Sequence, residues 1–147
     1  ADILNRRLGR TFGLVVGRLN RAALAAKVGD FALAAARFES VAEELEQAGR
    51  PHLAAHAQGE AVRAWLELKH ADASLRAARR CLELLSKAEI PPDIAMTAQC
   101  VVASAFFAAG RGDEAKAMAH RVRSSPDFAN LPADVREKLS AELVRIG

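Results

Sequence analysis

A pattern of small residues recurs about every forty residues along this chain of 147. Three segments carry it: 28–41, 68–81 and 109–122. Their turn positions, Gly29, Lys69 and Gly110, stand 40 and 41 residues apart. Five places past each turn sits a small residue: Ala34, Ser74 and Ala115. Seven places further sits a compact apolar one: Val41, Cys81 and Val122. A fixed period of this length marks stacked supersecondary units, each unable to bury its apolar face alone. The length predicts one domain, residues 1–147, with a real core.

The units read as helical. The chain is rich in alanine, which has the best helix propensity and lets helices approach closely. It is 51% hydrophobic but only 5% aromatic, and residues that favour strands are scarce. The spacing predicts helices over 2–28, 31–48, 52–69, 73–88, 93–109, 113–123 and 133–146, with a loop over 124–132. Asp2, Asp30 and Asp72 are the expected N-caps, Asp113 opens the sixth helix, and Gly29, Gly49 and Gly110 are the expected stops. Gly9, Gly13 and Gly17 weaken the first helix and mark a candidate break near Gly9–Thr11. Their four-residue spacing in a soluble helix reads as close packing. The fold class is therefore all-α: a right-handed α-solenoid of three antiparallel hairpins (12–48, 52–88 and 93–123) closed by a C-terminal capping helix. On that cap Arg136, Glu137, Lys138, Glu142 and Arg145 are expected to face water.

The run Ala103-Ser104-Ala105-Phe106-Phe107-Ala108-Ala109-Gly110-Arg111-Gly112-Asp113-Glu114-Ala115 resembles a tetratricopeptide repeat, as does Gly29-Asp30-Phe31 followed by Ala34 and Phe38. The middle unit keeps Trp65 and Ser74, but Lys69-His70-Ala71 replaces the glycine turn. The first unit has Ala25 where an aromatic belongs. Arg18, Gln58 and Gln99 stand in place of an early tryptophan. The resemblance spans about residues 12–125, with a period longer than the family's usual length of about 34. It implies that the first helix of each hairpin lines a concave groove. The matched positions are Leu19, Asn20, Ala23 and Lys27; then His56, Glu60, Arg63 and Glu67; then Thr97, Cys100, Val101, Ser104 and Phe107. That mixture suits a peptide. The family's clamp for a C-terminal carboxylate is poorly matched: only Asn20, Lys27 and Arg63 fit, and Glu60 and Glu67 would repel it. A short helix or extended segment of a partner protein is the expected ligand.

Little else carries chemistry. No nucleophile elbow, phosphate-binding glycine loop or dinucleotide fingerprint occurs. His52 and His56 have the i, i+4 spacing of two metal ligands, with Glu60 continuing the face, but the third ligand is missing and the HExxH order is absent. Neither metal nor cofactor is expected. Cys81 and Cys100 lie inside helical patterns and read as buried hydrophobes of a reduced, cytoplasmic protein. No apolar run approaches 18 residues, so no membrane span is expected, and no signal peptide is visible. Net charge is +3. The basic residues concentrate in 1–29, where Arg7, Arg10, Arg18 and Arg21 fall on roughly one helical face. A second basic group is Arg76, Arg79 and Arg80. The expected function is a non-catalytic protein-interaction module, an adaptor or assembly subunit. The alternative is an RNA- or polyanion-binding module that uses the N-terminal arginine face.

Overall fold

The structure is a computed structural model that describes residues 2–147, without the side chains of Asp2, Leu4, Asn5, Leu8 and Thr11. The expected cap at Asp2 therefore lies outside the described residues. Among the described residues eight helices follow in order: α1 (Asp2–Lys27), α2 (Phe31–Gln47), α3 (Pro51–Glu67), α4 (Ala71–Ser86), α5 (Pro92–Ala108), α6 (Gly112–Ser124), α7 (Pro126–Ala129) and α8 (Ala133–Val144). Among the described residues there is no strand, and no helix is long and apolar enough to cross a membrane.

The forty-residue period has a local cause. Four connections share one turn. In each, the backbone N–H of the third residue past the helix bonds to the carbonyl five residues back (Asp30 to Ala25, Arg50 to Leu45, His70 to Trp65, Arg111 to Phe106), at 2.9–3.1 Å. A second N–H bonds to the carbonyl three residues back, as from Gly29 to Ala26. This is the Schellman motif, and it needs one residue in the left-handed region. Gly29, Gly49 and Gly110 supply it at φ 85°, 73° and 81°, and Lys69 supplies it at φ 58° without being glycine. A helix of 17 residues and a three-residue turn make twenty, and two of these make the period. Pro91 and Pro92 set the remaining boundary between α4 and α5, with Pro91 in the N-cap position, because a proline ring fits the first turn of a helix and no later one.

Several boundaries differ from expectation. The Asp30 carboxylate accepts from Leu33 N–H at 3.3 Å, as a cap should. Asp72 does not cap: α4 starts two residues earlier than expected, at Ala71, His70 holds the N-cap position, and Asp72 sits in the first turn. There its charge still complements the helix dipole. Likewise α6 begins at Gly112 rather than Asp113. α1 runs unbroken through Gly9 and Thr11. Gly9, Gly13 and Gly17 do not mark close packing either, since a Cβ at each would meet nothing within 4 Å. The segment after α6 contains a short helix rather than only a loop. Ser125 caps it through Asp127 N–H at 3.2 Å.

Each long helix packs on its sequence neighbour, and α5 also packs on α3. α1 and α2 run antiparallel: Arg18 meets Glu44, and the Arg50 guanidinium lies 4.9 Å from the Phe12 ring centre, so the contacts step in opposite directions along the two helices. Alanine makes this close approach possible. Ala34, Ser74 and Ala115 are fully buried, as are Val41, Cys81 and Val122 to within 2%. Ser74 satisfies its hydroxyl by donating to Ala71 O at 2.8 Å. Buried Gln58 donates to Ala77 O at 3.2 Å. The core forms two clusters, one around α1–α3 and one around α3–α8. Trp65 packs against both, donates Nε1–H to Glu39 Oε1 at 2.8 Å and stacks on His70.

Candidate functional site

Three elements line a cleft with an apolar floor. From α3 come Arg63, Leu66 and Glu67, three and four residues apart and so on one helix face. Lys69 follows from the turn. From α5 come Val101, Ser104 and Phe107, again at three-residue steps. From α8 come Lys138, Ala141, Glu142 and Arg145, with Ile146 just past its end. The cleft measures about 610 Å³. A second cleft of about 450 Å³, lined by Glu60, Arg63, Thr97, Asp134, Val135, Lys138 and Leu139, shares Arg63 and Lys138 with the first.

α8 shapes both clefts. Its apolar stripe, Leu139, Leu143 and Ile146, is buried, and it packs on α5. Glu142 therefore faces inward rather than into water, correcting the expectation for that residue. It accepts from Ser104 Oγ at 3.3 Å and lies 3.9 Å from Arg63 Nη1. Arg136 also has a partner, donating to Ala129 O at 2.8 Å. With Glu142 engaged, the rim charges of the larger cleft are Lys69, Lys138 and Arg145 against Glu67. Phe107 stays 45% exposed on its floor. An apolar floor under a basic rim accommodates an apolar side chain flanked by carboxylates.

The structure gathers some of the sequence-derived positions and scatters others. Arg63, Glu67, Val101, Ser104 and Phe107 meet in the larger cleft, and Glu60 and Thr97 in the adjoining one. His56 is exposed on α3 outside both. Cys100 is fully buried and offers no surface to a partner. Leu19, Asn20, Ala23 and Lys27 stand apart because α1 packs on α2 rather than alongside α3; Leu19 is half-buried and the other three are exposed. Leu66, Lys69 and the α8 residues were missed. Nothing in the repeat pattern says on which side of the stack a terminal helix docks.

The remaining candidates are quickly placed. Arg7, Arg10, Arg18 and Arg21 are all exposed, with Arg18 paired to Glu44. In the second basic group Arg80 is bound by Glu46 and Glu83. Glu46 also takes Lys87 Nζ at 3.1 Å. The hydrogen bonds from Lys87 and Arg80 hold its carboxyl below the ordinary range. His52 is half-buried and His56 exposed; among the described residues no three His, Cys, Asp or Glu side chains converge as a metal requires. Burial pushes the Cys81 thiol up to about 12. Burial, and then the nearby Glu142 charge, do the same for Cys100. Both thiols are thus poor nucleophiles. In comparisons with protein-family models, with curated proteins and with solved structures, nothing matches this chain.

Proposed function

We propose that the chain is a non-catalytic protein-interaction module, a right-handed solenoid of three tetratricopeptide-like hairpins closed by α8. It binds a partner segment in the cleft between α3, α5 and α8. The observation that carries this reading is that cleft: a half-exposed Phe107 on an apolar floor, rimmed by Lys69, Lys138 and Arg145. The ligand is a short segment of a cytoplasmic partner that pairs an apolar anchor with carboxylates. The anchor displaces water from Phe107 and Leu66, and the carboxylates fix its register against the basic rim. Selection of a displayed random-peptide library on the full chain tests this. Enriched peptides should combine acidic and large apolar residues, and Phe107→Ser or Lys138→Glu should weaken them about tenfold, or about 1.4 kcal/mol. No enrichment, or peptides indifferent to both substitutions, would sink the proposal.

A second reading is binding of RNA or another polyanion by Arg7, Arg10, Arg18 and Arg21, and the exposure of all four supports it. Against it, Arg18 already neutralises Glu44. The neighbouring ring of Phe12 is stacked under Arg50 instead of being open to a base. Salt-dependent retention on immobilised RNA separates the readings, since a phosphate-reading surface must bind at low salt.

A further inference from the structure

α1 outruns its partner. It has 26 residues against 17 in α2, and Phe12 already lies beside Arg50 beyond the end of α2. Residues 2–11 therefore project past the α2–α3 turn, by about 15 Å at 1.5 Å per residue. The exposed large hydrophobics collect along α1. Of the seven among the described residues, four are on α1 or its C-cap: Ile3 (69% exposed), Leu14 (69%), Leu24 (60%) and Val28 (74%). With Arg10, Gly17 and Arg21 the last three follow one line of three- and four-residue steps (10, 14, 17, 21, 24, 28), and Ile3 continues it seven residues earlier, along a flank about 100° around the helix from the buried Val15, Ala22 and Ala25. Scattered surface leucines need no explanation, but a row of them along one helical ridge is a packing surface.

We propose that this outward face of α1 docks an acidic amphipathic helix of a partner protein, at a site separate from the α3–α5–α8 cleft. A ridge of this spacing is complementary to the groove of another helix. Its charge selects the partner: Arg6, Arg10, Arg21 and Lys27 are exposed on α1 against the single acid Asp2 of residues 2–28, while Arg18 is already paired with Glu44. The chain already shows the chemistry on the other side of α1. There α2 packs against α1 and sets Glu44 on Arg18. A second copy of the chain fits worse, because a twofold pairing brings two faces of the same positive charge together. A polynucleotide leaves Leu14, Leu24 and Val28 uncovered. A lipid surface suits helices whose charged and apolar faces are separate, whereas Arg10 and Arg21 lie in the same row as the leucines.

The test uses the full chain and a labelled helical peptide of about 20 residues, with leucines at 3.5-residue spacing flanked by glutamates, read by anisotropy. Leu14→Ser/Leu24→Ser and Arg10→Glu/Arg21→Glu should each weaken binding about tenfold or more, with the circular dichroism unchanged. Phe107→Ser should leave it intact. A scrambled peptide of the same composition should bind far less. Equal binding of the scrambled peptide overturns the proposal, as does loss in the arginine variant with retention in the leucine variant. So does loss in Phe107→Ser alone, which would place the peptide in the cleft. Tighter binding of a uridine oligonucleotide or of phosphatidylserine vesicles overturns it too, as does self-association of the chain that the leucine variant abolishes.

Discussion

At the residue scale the most telling position is Lys69. It departs from the glycine that the repeat uses at Gly29 and Gly110, yet the backbone holds the same left-handed turn there. A side chain in that region costs roughly 1–2 kcal/mol, partly offset by the greater freedom glycine has when unfolded. Lys69 also places its ammonium on the rim of the cleft. A local rule broken at a candidate site is where function and stability diverge. Lys69→Gly should therefore raise the unfolding free energy by about 0.5–1 kcal/mol in urea while weakening an acidic peptide held in the cleft. A variant both less stable and equally competent would show that the lysine serves neither end as argued. This is also why the second turn looked eroded in sequence: its hydrogen bonds are intact, and only the residue that reports them has changed.

At the element scale α8 contributes more than a cover. Leu143 is fully buried, so Leu143→Ala should cost about 2–5 kcal/mol. Because α8 forms one wall of the cleft, binding there should fall in step with the loss of α8 packing rather than with global unfolding. Chemical denaturation and peptide binding on the same variant check both parts; full retention of stability would mean that α8 is not seated on α5. Much of the helical content was legible beforehand, since alanine-rich amphipathic spacing and glycine stops are local signals. The docking side of α8 was not. Leu139, Leu143 and Ile146 declare a buried stripe, but a stripe does not name the helix that buries it. For the same reason the α3 and α5 cleft positions were found by register while the α1 positions were misplaced. Register presumes that every unit stacks alike, and here α5 packs on α3 and α4 as well as on α6, whereas α1 packs chiefly on α2.

At the scale of the whole molecule, Cys81 and Cys100 tie global stability to alkaline pH. Both thiols are raised from 9.0 to about 12 in the folded chain. A group with a raised pKa binds its proton more tightly when folded, so its contribution is fully present below the unfolded value and drains away above it. Between pH 9.0 and about 12 the unfolded chain releases protons that the folded chain retains. Stability should then fall by up to about 1.4 kcal/mol per pH unit for each thiol. The chain has no tyrosine, which removes the other acid that commonly drives alkaline unfolding. Its single tryptophan, Trp65, contacts both core clusters, so its fluorescence reports the loss of either. Titrated unfolding followed by Trp65 emission and circular dichroism should show the steep alkaline decline in the native chain. In Cys81→Ala/Cys100→Ala the decline should be flatter, from a lower starting stability. Parallel slopes in the two proteins would mean that the lysines, and not the buried thiols, set the alkaline limit. Because both thiols are buried in the cluster around α3–α8, which Trp65 also contacts, their ionisation is an event of the fold, and emission and dichroism should move together.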